Sequence, residues 1–335
     1  MSYPLVSVCI PTFNGAGFIG QCIESCANQT YSNIEIVICD DCSSDETISI
    51  IEKYAKADKR IKAYKNANNL GLVGNWNATL KNATGEYIKW MFQDDLMEHN
   101  AVESFVEAAK SNHDFIVSKR NFVLYPEATE SEKEYYFKKI RKLENYFSDN
   151  ENTHYFSSAE IARLTTENIA LNFIGEPSLM FFKRSLINDV GLYDDKLVQI
   201  CDLEFNLRLA VKSGVFVINK PLCSFSIHAN STTSSNLNKK YFRLRYIEQA
   251  YFAFKLLNDK AFLFLQNQLS FMQKLKLGFY WKYRMHEANK YIARQTNKTE
   301  CINELQKFPE LKYGWFTGLI NYPLFQITDL LKSRR

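Results

Sequence analysis

The sequence predicts an α/β domain, a Rossmann-like mixed sheet flanked by helices, followed by a helical C-terminal region. Three observations predict it. Short β-branched runs alternate with apolar-periodic helical segments from the first residues to about 218, as a sheet covered by helices requires. Several of the strands end in carboxylates, at the place where open α/β sheets bind ligands. From about 236 the composition shifts to helix formers, Lys, Arg and aromatics, with few turn signals before Pro309.

Taken in order, Val6–Ile10 (VSVCI) reads as a buried strand. A helix is expected over about 17–28 and a second strand over Ile34–Cys39. Ser43 and Glu46 have capping-box spacing ahead of a helix running through Ala57. A short strand at Ile61–Tyr64, a turn at 68–71, a helix over Gly74–Ala83 and a strand over Tyr87–Phe92 follow. A helix at about 99–111 leads to a strand at Phe115–Val117. Residues 125–155 are charged, aromatic and aperiodic, which predicts an insertion or mobile loop rather than a sheet layer. Ser157 and Glu160 form a second capping box, opening a helix to about Leu171. Ser178–Phe182 reads as a strand, Asp202–Ser213 as an amphipathic helix and Val215–Ile218 as a strand. The expected division is a sheet domain over 1–235 and a helical region over 236–335.

Bulk properties exclude several classes. A net charge of +4 over 335 residues is too small to argue for nucleic acid. No uncharged run reaches the ~18–20 residues that a spanning helix needs, and Met1–Pro4 leads straight into a strand with no secretory signal. Eight cysteines are present, with Cys39 and Cys42 in C-x-x-C spacing but no second pair to complete a zinc site. They read as buried reduced thiols.

Two sets of motifs compete for the chemistry. Gly15, Gly17 and Gly20 spell G-x-G-x-x-G after the first strand, and Asp40-Asp41 follow at about the spacing of a ribose-binding carboxylate. In a dinucleotide site, however, the glycines make the strand-to-helix turn itself, whereas here Pro11-Thr12-Phe13-Asn14 intervenes. The second set is acidic: Asp40-Asp41, Asp94-Asp95, and Asp202 with Glu204 at a helix start. Paired carboxylates at strand ends suit a hard divalent cation that shares its shell with phosphates. The plain alternative is that strand-end aspartates serve as turn and cap residues.

With their flanks, these clusters resemble the family 2 glycosyltransferases with a GT-A fold. Six stretches carry the resemblance in order over roughly 4–230: VSVCIPTFNG, EIVICDDCSSDET, NNLGLVGNWNATLKNATGEYIKWMFQDD, GEPSLMFFKRSLINDVGLYDD, CDLEFNLRLA and SFSIHANSTTSS. The resemblance implies an inverting, metal-dependent transferase, hexosyl or N-acetylhexosaminyl, that uses Mn²⁺ or Mg²⁺. A UDP-sugar would be the donor and a glycan or lipid-linked saccharide the acceptor, in capsule, lipopolysaccharide or other surface-polysaccharide synthesis. It makes 1–235 the catalytic domain and the glycine trio a coincidence.

Site residues follow from the same resemblance. Pro11 and Phe13 would border the base and ribose, with Thr12 and Asn14 shaping that loop, Asp41 accepting from the uracil N–H and Asp40 supporting it. Asn77 would lie behind the nucleotide pocket, and Trp76 stands where relatives often carry Arg. Gln93-Asp94-Asp95 corresponds to the D-x-D motif, with Asp94 on ribose or donor sugar and Asp95 holding the metal. Asp202 would be the base, although a helix cap is its plain alternative, and Cys201 replaces the glutamate that precedes it in the family. His228 would complete the metal shell or touch a phosphate, or else be structural, and Glu176 is a candidate for the acceptor side.

Beyond the resemblance, Tyr313–Thr328 is uncharged and aromatic and is followed by Lys332, Arg334 and Arg335. It would either lie against a membrane surface or pack on the protein. The expected location is cytoplasmic, with peripheral contact at the inner face of the cell membrane through 313–335. Two rival functions are a non-catalytic nucleotide-sugar-binding or assembly protein and an NAD-binding oxidoreductase. Donor sugar, acceptor, linkage and oligomeric state are not written in these motifs.

Overall fold

The computed structural model describes residues 3–130, 143–148, 150–228, 243–296 and 298–313. The N-terminal elements are β1 (Val6–Thr12), α1 (Ile19–Ala27), β2 (Ile34–Asp40), α2 (Thr47–Ala57), β3 (Ile61–Lys65), α3 (Gly71–Asn82), β4 (Tyr87–Trp90), β5 (Leu96–Met97), α4 (Ala101–Ala109) and β6 (Phe115–Leu124). There follow β7 (Thr153–Phe156), α5 (Ser158–Glu167), β8 (Met180–Lys183), α6 (Leu186–Val190), α7 (Cys201–Ser213) and β9 (Val215–Ile227). The C-terminal helices are α8 (Gln249–Asn258), α9 (Leu263–Gln268), α10 (Phe271–Ala293) and α11 (Thr299–Gln306).

The strands form one mixed sheet in the order β3-β2-β1-β4-β8-β6-β9-β5, with β7 paired to β9. β1, β2, β3 and β4 are parallel, and β8 runs antiparallel between β4 and β6. The chain winds outward through β2 and β3, then returns to place β4 on the other side of β1. That reversal is a topological switch point, and the carboxyl ends of β1 and β4 open a crevice there. β1 and β2 are buried along their whole length, as their β-branched runs require when both faces are covered.

Several local expectations are revised. Ser157 and Glu160 do form the reciprocal capping box of α5, but Ser43 and Glu46 do not cap α2. Ser43 donates instead to Asp40, and Asp45 accepts from the Thr47 backbone at the helix start. α3 begins at Gly71, which adopts a φ of 71°. β6 and β9 run on well past the predicted strands as a parallel pair, with register shifts at Lys119 and Arg120. Within 125–155, Thr153–Phe156 is a sheet strand antiparallel to β9. All eight cysteines are free, and only Cys42 is other than buried. Residues 314–335 lie outside the described residues, and with them all but the first residue of the aromatic segment expected at a membrane.

The C-terminal helices pack on the sheet domain. Phe252, Leu256, Phe262 and Leu277 share one continuous core with Trp90, Phe182, Phe205 and Leu207. No described helix is long and apolar enough to cross a membrane.

Candidate active site

The switch point is built from the loop after β1. Asn14 takes a left-handed φ of 47°, and the backbone there is cradled by the loop before α2. Asn14 N–H donates to Ser43 Oγ at 2.8 Å, Gly15 N–H to Thr47 Oγ1 at 2.8 Å, and Ala16 N–H to Asp45 at 3.1 Å. In return the Ser44 N–H donates to Asn14 Oδ1 at 2.8 Å. From β4 comes Gln93, whose Oε1 accepts from Thr12 Oγ1 at 2.5 Å and from the Phe13 N–H at 3.0 Å. A Cβ on Gly15 would collide with that amide, so this glycine serves the approach of Gln93. None of Gly15, Gly17 and Gly20 has a positive φ, and the helix opens only at Ile19. The trio therefore does not make the turn of a dinucleotide site.

Beside this loop, Asp40 and Asp41 are buried at the end of β2. Asp40 accepts from the Ser43 N–H at 3.0 Å. Asp41 Oδ1 accepts from Asn66 Nδ2 and from the Leu70 N–H, each at 2.8 Å. Both bonds fix the carboxylate's orientation through one oxygen. Behind the Asp41 carboxylate lies Asn75, while Asn77, expected behind the nucleotide pocket, faces the Tyr193 loop. Buried Asn75 Nδ2 donates to the carbonyls of Thr12 and Cys39, each at 3.1 Å, and its Oδ1 accepts from Asn66 at 3.0 Å. Asn77 exchanges two 2.9 Å hydrogen bonds with the Tyr193 backbone, clamping the 191–195 loop onto α3. Trp76 packs among Trp90, Phe92 and Tyr193, with its ring 4.7 Å from Phe92.

The two aspartates of the D-x-D position point to opposite environments. Asp95 is 1% exposed, accepting from Ser178 Oγ at 2.5 Å and from the Ser226 N–H at 3.0 Å. Burial, and then the charge of Asp94, push its carboxyl well above the usual carboxylate range, against those two hydrogen bonds. Asp94 retains 22% side-chain exposure and meets His228 Nε2 at 2.9 Å. The His228 ring is held by stacking on Phe18 at 4.4 Å and by the edge of Tyr125. Asp94 is thus the more accessible of the two carboxylates, with the buried His228 ring against it, while Asp95, expected to hold the metal, is buried against Ser178 and Ser226. No cluster of three or more metal-ligating side chains occurs among the described residues. The Asp94 carboxylate is the kind of oxygen donor that fits Mn²⁺ or Mg²⁺ filling its shell from a diphosphate and water.

Asp202 lies in the first turn of α7, whose N-cap is Ile200. Its Oδ1 accepts from the Leu203 N–H at 2.7 Å, and its Oδ2 accepts from Asn172 Nδ2 at 2.8 Å. The capping alternative is thus partly realised, through one oxygen. Asn172 also donates to the Gly175 carbonyl at 3.0 Å and accepts from the Gly175 N–H at 3.0 Å. The segment 172–178 therefore holds Asp202 at one end, through Asn172, and Asp95 at the other, through Ser178. Glu176 within it, expected on the acceptor side, pairs with Arg120 Nη1 at 2.9 Å in a nearly buried ion pair. Asn75 and Asn172 were missed in the sequence; Asn75 lies within a motif-bearing stretch, and Asn172 falls just before one.

Residues 7–164 match the family model described as Glycosyl transferase family 2. An uncharacterized glycosyltransferase of Haemophilus influenzae is 35% identical over 113 residues, 34% of this chain and 45% of that protein. The GalNAc(5)-diNAcBac-PP-undecaprenol beta-1,3-glucosyltransferase of Campylobacter jejuni is 28% identical over 250 residues, 74% of this chain and 73% of that protein. Among solved structures, S. aureus TarS 1–349 in complex with UDP-GlcNAc superposes with a TM-score of 0.62 at 17% identity, covering 98% of this chain and 92% of TarS 1–349. The mannosyltransferase PcManGT from Pyrobaculum calidifontis, in complex with GDP-Man and Mn²⁺, gives a TM-score of 0.52 at 18% identity, covering 97% and 88%. The fold is GT-A.

Proposed function

We propose that the chain is a family 2 glycosyl transferase, the family whose model matches residues 7–164, and that it moves a sugar from a UDP-sugar to a hydroxyl of a glycan or lipid-linked saccharide, inverting the anomeric centre. Pro11, Thr12, Phe13 and Asn14 border the nucleoside. Asp41, oriented by Asn66 and Leu70 and backed by Asp40, accepts from the uracil N–H. Asp94 and His228 face the diphosphate. A divalent cation held there supplies positive charge against the leaving nucleoside diphosphate, where negative charge develops as the bond breaks.

Asp202 takes the proton from the acceptor hydroxyl at its carboxylate as that oxygen bonds to the anomeric carbon. The bond to the phosphate oxygen breaks on the opposite face, so a single displacement inverts the centre. Asn172 holds the carboxylate in place for this step. The observation that carries the reading is the tie through 172–178, which fixes the base and the floor of the diphosphate site to one piece of chain. A lipid-linked acceptor draws on the Campylobacter relative, a glucosyltransferase named for an undecaprenol-linked saccharide. UDP as the donor nucleotide draws on the TarS complex, and Mn²⁺ on that of PcManGT.

The test is UDP release from a panel of UDP-sugars with Mn²⁺ and candidate acceptors, comparing wild type with Asp202→Asn. The variant is expected to keep UDP binding and to lose turnover by at least about a hundredfold, with a lower melting temperature because its NH₂ opposes the Leu203 N–H or Asn172 Nδ2. Substantial surviving turnover removes Asp202 as the base.

A further inference from the structure

We propose that the corner between α9 and α10 docks on an anionic lipid surface, a role that goes beyond the transfer reaction. Twelve large hydrophobic side chains stand exposed among the described residues, and four of them fall within 263–272: Leu263 at 55%, Phe264 at 44%, Phe271 at 74% and Met272 at 69%. Single exposed apolar side chains need no explanation, but a cluster does. The core does not use these four. Phe262, Leu265, Leu269 and Leu277 are the residues that anchor the same elements inward. α10 is started by its own capping box, in which Ser270 and Gln273 satisfy each other's backbone N–H groups. Phe271 and Met272 therefore project from a first turn that is already stable without them.

Charge selects the occupant. Between 260 and 286 the chain carries Lys260, Lys274, Lys276, Lys282 and Arg284 and no acidic residue. Lys260 and Lys274 are exposed beside the apolar cluster, while Lys276 is committed to the Thr166 carbonyl. Exposed apolar side chains flanked in the chain by the exposed Lys260 and Lys274 match the interface of a bilayer bearing anionic headgroups. A second copy of this chain meeting the patch about a two-fold axis would set cations against cations.

Vesicle flotation of the full chain tests this, using phosphatidylcholine with and without phosphatidylglycerol. Wild type is expected to float with the anionic vesicles only, less so as salt rises. The variant L263S/F264S/F271S/M272S is expected to bind about tenfold or more weakly. Its melting temperature and its UDP release with a water-soluble acceptor should stay unchanged, because the replaced side chains are outside the core. Lys260→Glu combined with Lys274→Glu should weaken binding while leaving the apolar cluster intact. Equal binding to neutral vesicles, equal binding by the fourfold variant, or a change of oligomeric state in place of a loss of flotation would overturn the proposal. None of these readouts depends on which sugar the protein transfers, so the transferase reading and this one fail separately.

Discussion

Glu248→Gln tests whether the C-terminal region holds the catalytic helix in place. Glu248 is fully buried, and its two carboxylate oxygens accept from the Val198 N–H at 3.0 Å and the Gln199 N–H at 2.9 Å. These amides belong to the loop that feeds directly into Cys201 and Asp202. Hydrogen bonds to a charged acceptor contribute roughly 1.5–3 kcal/mol each. A glutamine keeps one acceptor oxygen but turns an NH₂ group toward the other amide, so one bond is lost and one buried donor is stranded. The expected destabilisation is about 2–4 kcal/mol. With an unfolding entropy near ~2.1 cal/mol/K per residue, the chain loses about 3–6 °C in melting temperature. A displacement of the loop moves Asp202 relative to the acceptor, and an error on the order of 1 Å reduces turnover by up to about a hundredfold. The KM for the donor should hold, since the Asp41 pocket is built from β1, β2 and α3. Thermal melting and steady-state UDP release measure both effects. Wild-type melting together with wild-type kcat would refute the reasoning.

Two further predictions concern charge. Lys255, nearly buried, meets Asp194 at 2.5 Å and Glu204 at 2.7 Å, so Lys255→Met should destabilise by about 3 kcal/mol, as breaking a buried pair does, read by denaturant titration. Burial works against the Lys255 ammonium, yet Glu204 and Asp194 hold its pKa above the usual lysine value, and Asp194 is held below the usual carboxylate value despite its own burial. The Asp194 contribution is therefore present above about pH 4 and lost as pH falls through the lowered value, and that of Lys255 is present below about pH 10 and lost as pH rises through the raised one. Stability of the wild type should fall at both limits, and Lys255→Met should flatten both limbs. At the diphosphate site, Asp94→Asn should keep the fold and lower turnover by roughly a hundredfold, with weaker Mn²⁺ activation. Asp95→Asn should instead lower the melting temperature, because its NH₂ would oppose Ser178 or Ser226. If Asp95→Asn abolished Mn²⁺ activation without a thermal cost and Asp94→Asn did not, the assignment of the cation to Asp94 would be wrong.

The strand ends were legible because their physics is local. A β-branched run followed by Pro-Thr-Phe-Asn or by Asp-Asp announces a buried strand that stops at a ligand crevice, and β1 and β2 stop there. What the sequence hid was direction. Asn75 and Asn77 are two residues apart on α3, and at 100° per residue they face nearly opposite ways. One reaches the carbonyls of β1 and β2, the other the Tyr193 loop. Asp94 and Asp95 are adjacent and chemically identical in sequence, but β4 ends at Trp90. The turn that follows sends one side chain to the crevice and the other to the floor. Ser43 had the spacing of a cap, but its hydroxyl donates to Asp40 three residues back and accepts from the Asn14 N–H, a partner that only the fold supplies.

The change of composition near 236 marks a change of secondary structure more than a mechanical boundary. Lys255 on α8 neutralises carboxylates from two places in the sheet domain, Asp194 and Glu204, while Glu204 also binds Arg208 at 2.8 Å. Arg208 in turn reaches the carbonyls of Val190 and Leu192, next to the Tyr193 backbone that Asn77 holds. Lys196 pairs with Glu310 at 2.5 Å across the same junction. These hydrogen bonds and ion pairs thus tie the 190–200 loop to α3, α7 and the C-terminal helices, and that loop leads into Asp202. A buried carboxylate such as Glu204 is tolerable only while its cations stay beside it. The helices after 243 accordingly stand as the outer wall of the support of Asp202, and the geometry proposed for that carboxylate depends on their docking as directly as on the sheet.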